Sequence, residues 1–166
     1  TMVAVKSDEN VHSLMNQPSE HLVSIPVNDV ELEGMIEIPD GATGLVVFAH
    51  GSGSSRKSPR NNFVAEVIRE RGLGTLLFDL LTEAEDTDRD NRFDIQLLTT
   101  RLVAVTEWLR DRDDTADLNV GYFGSSTGAA SALRAAARRG GDIDAVVSRG
   151  GRVDLAEERL GEVGAP

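Results

Sequence analysis

The chain has 166 residues, 40% of them hydrophobic and 27% charged, which suits one soluble globular domain and is too apolar for disorder. It has no cysteine, which excludes disulfides, thiolate metal sites and a cysteine nucleophile. The formal charge of −11, from 28 acidic against 17 basic residues, argues against a nucleic-acid backbone or an anionic membrane surface as partner. No run approaches the roughly 18 apolar residues of a membrane span. Residues 1–18 are polar and lack the apolar centre of a secretory signal. They are read as a flexible leader, with Thr1 ahead of Met2 as a cloning remnant, before a single domain over 19–166. The expected location is the cytoplasm. Only Lys6 and Lys57 are lysines, a usage compatible with a salt-adapted or GC-rich source.

The first patterned stretch runs from His21 to Ile38. Val23, Ile25 and Val27 alternate with polar residues, and a second apolar set from Val30 to Ile38 follows Asn28-Asp29, which predicts an antiparallel hairpin. Leu45 to Ala49 is a continuous apolar run, as expected for a strand covered on both faces. A glycine- and serine-rich loop, His50 to Arg60, comes next. The following helix is expected to place Phe63, Val64, Val67 and Ile68 on one inward face and to end near Gly72. Leu76-Leu77-Phe78 predicts a buried strand closed by Asp79, and Thr82 to Arg92 an acidic loop. Between Asp94 and Asp111, Leu98, Leu102, Val105 and Leu109 recur at helical spacing. Leu118 to Phe123 reads as a strand, Thr127 to Arg139 as an alanine-dense helix, Ala145 to Val147 as a strand and Val153 to Leu160 as a short helix. This order implies an α/β fold: a mostly parallel sheet with helices on both faces and an antiparallel N-terminal hairpin. Sites in such sheets form at the carboxyl ends of the strands.

Two strand ends carry the chemistry. Gly124-Ser125-Ser126-Thr127-Gly128 sits between a predicted strand and a predicted helix, the context that gives a G-x-S-x-G pattern meaning. A serine on so sharp a turn presents its hydroxyl above the sheet, and the flanking glycines relieve the crowding. The bland alternative is a tight turn with a serine cap. The second motif, His50-Gly51-Ser52-Gly53-Ser54-Ser55, follows the third strand. Two fixed N–H donors stabilise the charge that develops on a carbonyl oxygen. The amide of Thr127 is expected to be one and that of Ser52 the other, with Gly51 and Gly53 letting backbone approach the substrate. His50 is read as organising the loop rather than as a general base.

These two motifs together, about 75 residues apart, resemble those of an α/β-hydrolase. The likeness is greatest to small dienelactone-hydrolase-like members, some of which occur beside or fused to phosphoribosyltransferase domains. The resemblance runs from the first hairpin to the last residue. It implies that Ser126 is the nucleophile, that Ser52 and Thr127 supply oxyanion-hole amides, and that the chemistry is cofactor-free hydrolysis of esters, lactones and related carbonyls. The family's order is serine, acid, histidine. Here His12, His21 and His50 all precede Ser126, and Asp142, Asp144 and Asp154 do not follow the expected strand. The expectation is therefore a hydrolase's N-terminal portion of about six strands, its acid and base supplied from outside the chain. The strand Ala145 to Val147 would then be an apolar edge open to self-association or to a complementing C-terminal fragment. A homodimer would cover that edge without supplying a downstream histidine.

Other residues were weighed against plainer roles. Asp86, Asp88 and Asp90 alternate as in a calcium loop, but Asn91 and Leu97 stand where glycine and a bidentate glutamate belong, so a solvated acidic loop is expected and no metal. That loop would border the site and disfavour anionic substrates. Asp79 is expected to cap nearby backbone. Arg56, Arg60 and Arg149 are candidates for a substrate carboxylate or phosphate, or plain surface charges; Trp108 and Tyr122 read as packing. Two other classes remain open: a binding or assembly module working through its sheet edge, and a phosphate-binding domain using Gly51 to Ser55 as an anion cradle. No lysine or acid is spaced to complete a P-loop or dinucleotide fingerprint.

Overall fold

The structure, a computed structural model, describes residues 21–152, 154–155 and 161–166. The expected leader, His12, and all of the expected helix Val153 to Leu160 except Asp154 and Leu155 lie outside the described residues. Strands β1 (Leu22–Val27) and β2 (Val30–Glu37) form the expected hairpin, with Asn28 at φ 50° in its turn. Asparagine tolerates that left-handed geometry, and such turns match the twist of the flanking strands. After them come β3 (Gly44–Ala49), α1 (Pro59–Glu70), β4 (Gly74–Phe78), α2 (Glu83–Asp86), α3 (Arg89–Arg92), α4 (Ile95–Arg110), β5 (Asn119–Ser125), α5 (Thr127–Arg139), a 3-10 turn (Gly140–Asp142) and β6 (Ile143–Arg149). The sheet order is β1-β2-β4-β3-β5-β6. β1, β2 and β4 pair antiparallel, and β4, β3, β5 and β6 run parallel. The fold is α/β, with a six-stranded mixed sheet of α/β-hydrolase type.

Side chains alternate across the strands, so each face has its own core. On one face Leu98, Leu102, Val105 and Leu109 of α4 and the alanines of α5 pack over Val47, Leu76 and Tyr122. The predicted helical stripe is thus the buried one. The Tyr122 hydroxyl, inside this core, meets the Thr106 hydroxyl at 2.6 Å, which satisfies a polar atom that burial alone would strand. On the other face α1 covers a smaller cluster of Phe48, Leu77 and Phe123 through Ala65.

Two expectations are corrected here. Helix α1 does not turn Phe63 and Val67 inward; they are 68% and 40% exposed, while Asn61 and Ala65 face the sheet and Val64 and Ile68 are half-buried. Polar ties set this rotation: Arg69 on one flank pairs with Glu37 and donates to Thr75, and Asn61 accepts from Arg149. The acidic segment is also more ordered than a loop. Thr82 and Glu85 form a reciprocal capping box that starts α2, and Asp88 caps α3. Glu85 then pairs with the buried Arg101 at 2.6 Å, tying this segment to α4.

That ion pair generates a pH prediction. The hydrogen bonds from Arg101 lower the Glu85 carboxyl from its ordinary 4.5 to about 2. A carboxyl depressed in the folded state stabilises it fully above the unfolded value and ceases to do so as pH falls through the folded one. Urea unfolding should therefore lose stability between about pH 4.5 and 2 in the native chain. Glu85→Gln should flatten that limb; an unchanged acid limb would show that the pair contributes nothing.

Candidate active site

Strand β5 ends at Ser125 and α5 begins at Thr127, so Ser126 alone makes the turn. Its backbone sits at φ 54° and ψ −121°, a left-handed conformation that costs a non-glycine residue about 1–3 kcal/mol. Hydrogen bonds hold it there: the Ser126 N–H donates to the Arg149 carbonyl at 3.4 Å, and its own carbonyl accepts from Arg152 N–H at 3.1 Å. The side chain makes no capping bond to the helix, leaving the hydroxyl uncommitted to α5. Both flanking glycines are sterically required. A Cβ on Gly124 would lie 2.5 Å from the Ala129 Cα, and one on Gly128 would lie 2.0 Å from the Ala49 carbonyl oxygen. These neighbours are backbone and cannot swing away.

The same closeness brings the loop after β3 against the turn. A Cβ on Gly51 would be 3.1 Å from the Ser126 Cβ, so Gly51 lets the loop rest on the serine. Gly53 is at φ 74°, which redirects the chain through a turn closed by the Ser54 N–H to Gly51 carbonyl bond. The amide N–H groups of Ser52 and Thr127 have no partner among the described residues. A narrow cleft of about 10 Å³ is lined by Gly51, Ser52, Gly53, Thr127 and Arg92, with Leu80 and Leu98. It shares His50, Leu81 and Asp86 with a wider cleft of about 440 Å³, whose walls include Glu31, Glu33, Asp79 and Glu83. Thr82, Glu83 and Asp86 of the acidic segment line this wider cleft.

His50 is 8% exposed, and both ring nitrogens are engaged. Nε2 accepts the Leu80 N–H at 3.0 Å, so Nδ1 carries the proton and donates it to the Gly51 carbonyl at 2.9 Å. Burial lowers its pKa from the ordinary value, favouring the neutral ring. The geometry matches the loop-organising reading. His21, the other histidine among the described residues, precedes β1, four strand spacings or roughly 19 Å from β5.

The candidate arginines are distributed differently. Arg56 is clamped: its guanidinium pairs with Asp79 and with Glu33 at 3.0 Å, while its N–H donates to Asp79 at 2.8 Å. Asp79 therefore caps backbone, but across to the loop after β3 rather than locally. Arg60 is exposed near the start of α1. Arg149 stretches over the Phe123 ring and donates to Asn61 on α1 at 2.9 Å and to Ser125 at 3.2 Å, bracing the turn from the side. Two participants were missed by sequence reasoning. Asn61 lies 88 residues from Arg149, a separation with no local pattern. Arg92, paired with Asp86 at 3.0 Å, closes the narrow cleft near Gly53 from a segment read as mere acidic loop. Asp142, later than Ser126, is tied to Arg110 and Arg139, and Asp154 to Arg152.

The histidine geometry is directly testable. Because the fold holds the neutral ring, its contribution is complete above the unfolded value of about 6.5 and is lost as pH falls through the lowered folded one. Long-range 15N–1H spectra should show His50 as the neutral Nδ1–H tautomer at pH 7, protonating only at lower pH than a free imidazole. A charged ring at pH 7 would contradict the assignment.

No family model matches the sequence. Two curated relatives from Mycobacterium tuberculosis, in strains CDC 1551 and H37Rv and provisionally named phosphoribosyl transferases, are 56% identical over 144 residues, covering 87% of this chain and 32% of theirs. The chain therefore spans about a third of the length of the curated relatives it matches. An α/β serine hydrolase homologue from Coxiella burnetii shares the fold at a TM-score of 0.72 and 19% identity, over 87% of this chain and 70% of that one. A dienelactone hydrolase from Anabaena variabilis superposes at a TM-score of 0.85 with 57% identity, over 87% of this chain and 69% of that one. With its elbow at Ser126 and that identity over more than two thirds of the Anabaena protein, the chain belongs to the dienelactone hydrolase family of the α/β-hydrolase fold.

Proposed function

We propose that the chain is the nucleophile-bearing portion of a serine hydrolase that opens an ester or lactone carbonyl through an acyl-enzyme. The observation that carries this reading is the left-handed backbone of Ser126, fixed between two obligatory glycines and resting against Gly51 of the loop after β3. In the first step the Ser126 Oγ bonds to the carbonyl carbon. The carbonyl π pair moves onto oxygen, held by the two amides, and the serine proton passes to a base. Collapse breaks the carbon–oxygen bond to the alcohol, which takes up that proton; in a lactone the alcohol stays attached to the acyl group. Water repeats the sequence and releases the carboxylic acid. These steps balance without a redox or group-carrying cofactor.

The base is proposed to be a histidine from polypeptide outside the 166 residues, since His50 is committed to Leu80 and Gly51. That polypeptide would complete the sheet beside β6, the last strand in the order, whose Val147 is 51% exposed. The edge is not wholly free: the Val146 N–H donates to the Pro166 carbonyl at 2.9 Å. The carboxylates around the wider cleft favour a neutral over an anionic acyl group. The mycobacterial relatives are named for phosphoribosyl transfer, and this chain spans 32% of their length. The second reading, an assembly module acting through the edge of β6, rests on the same exposed Val147.

A fluorophosphonate probe followed by intact mass tests the first reading. One phosphonyl adduct on the native chain and none on Ser126→Ala is the expected result. Labelling should accelerate when the part of the Anabaena dienelactone hydrolase beyond the matched region is supplied as a separate polypeptide. A folded chain that stays unlabelled in both conditions sinks the hydrolase reading, and a stable dimer in that outcome selects the assembly module.

A further inference from the structure

Five threonines are buried among the described residues, and four have a partner for the hydroxyl. Thr99 and Thr106 donate back to the carbonyls of Ile95 and Leu102, one helical turn earlier, at 2.6 and 2.8 Å. Thr115 bonds the Leu109 carbonyl, and Thr75 accepts from Arg69 at 2.8 Å. The fifth, Thr127, is 1% exposed and its Oγ1 has no partner among the described residues. Its position explains why. As the first residue of α5 it has no helical carbonyl a turn behind it, so the bond that satisfies the other helical threonines does not exist.

A buried hydroxyl without a partner is costly to the fold and calls for a reason. Thr127 lines the narrow cleft together with Gly51, Ser52 and Gly53, and the space of about 10 Å³ there is room for a single oxygen atom. Ser126, the residue before it, abuts the same Gly51. Resting on the assignment of Ser126 as nucleophile, we infer that the Thr127 hydroxyl is a third donor to the oxyanion, adding a side-chain hydrogen bond to those of the Ser52 and Thr127 amides. In the resting chain the O–H lacks an acceptor. When the carbonyl π pair moves onto oxygen as the Ser126 Oγ–carbon bond forms, that oxygen becomes the acceptor. The interaction is thus made in the transition state and is missing from the free protein, the condition under which a hydrogen bond raises rate rather than resting affinity.

Two isosteric variants separate this role from a structural one. Thr127→Val keeps the shape and removes the hydroxyl; Thr127→Ser keeps the hydroxyl. Thr127→Val should unfold in urea at the same midpoint as the native chain or a higher one, because it removes an unsatisfied polar atom. Its phosphonylation at Ser126 should nevertheless slow on the order of 100-fold, the lower end of the range for loss of one oxyanion donor. Thr127→Ser should label at close to the native rate. Native-rate labelling of Thr127→Val overturns the inference while leaving Ser126 as nucleophile intact. A lowered urea midpoint for Thr127→Val overturns it too, by showing that the hydroxyl serves the fold. If the native chain labels neither alone nor with the complementing polypeptide, the Ser126 reading fails and this inference fails with it.

Discussion

The structure depends on how closely the start of α5 lies against the end of β3. At Gly128 the room for a Cβ is already occupied by the carbonyl oxygens of Ala49 and His50, so helix and strand touch backbone to backbone. A side chain there would force the two apart, and overpacking of this kind costs about 1–3 kcal/mol even where neighbours can yield. Two consequences follow from that one contact. It bends the chain sharply at Ser126, and it carries the loop after β3 onto the serine. The alanines along α5 continue the close approach into the core.

The loops themselves are held by polar bonds rather than by apolar packing. His50 pins the loop after β3 to Leu80, Arg56 and Asp79 cross-link the same two loops, and Arg149 braces the turn against α1. Each of these groups is partly or largely buried and hydrogen-bonded, so breaking one leaves a polar atom stranded. Such bracing gives the site a fixed geometry at the rim of the sheet, where there is too little apolar surface to do so. It also explains why a histidine and three arginines cluster near the site without any of them having to touch a substrate.

Much of this was legible in the sequence, where the signal was local. Leu98, Leu102, Val105 and Leu109 announced α4, the run Leu45–Ala49 announced a doubly covered strand, and Gly124 to Gly128 announced the turn at Ser126. The capping box Thr82–Glu85 is equally local, but the acidic charge around it masks its spacing. The failures were non-local. Phe63 and Val67 fit a helical stripe, yet the rotation of α1 is set by Glu37, Thr75 and Arg149, all outside the helix. Arg56 resembles a free cation in the sequence because Glu33 of β2 and Asp79, just after β4, which neutralise it, are far from it in the chain. An orphaned hydroxyl such as that of Thr127 is invisible to sequence altogether, since it is defined by what does not surround it.

The parallel register of β3 against β5 also orders events in time. It joins residues about 75 apart in the chain, whereas the β1–β2 hairpin closes across two residues and α4 needs only its own turns. Contacts so distant in sequence are the slow ones to form, because chain entropy must be given up before they yield any stabilisation. Ser126 therefore acquires its left-handed backbone only once that long loop has closed. A nascent or partly unfolded chain has the serine but not the elbow.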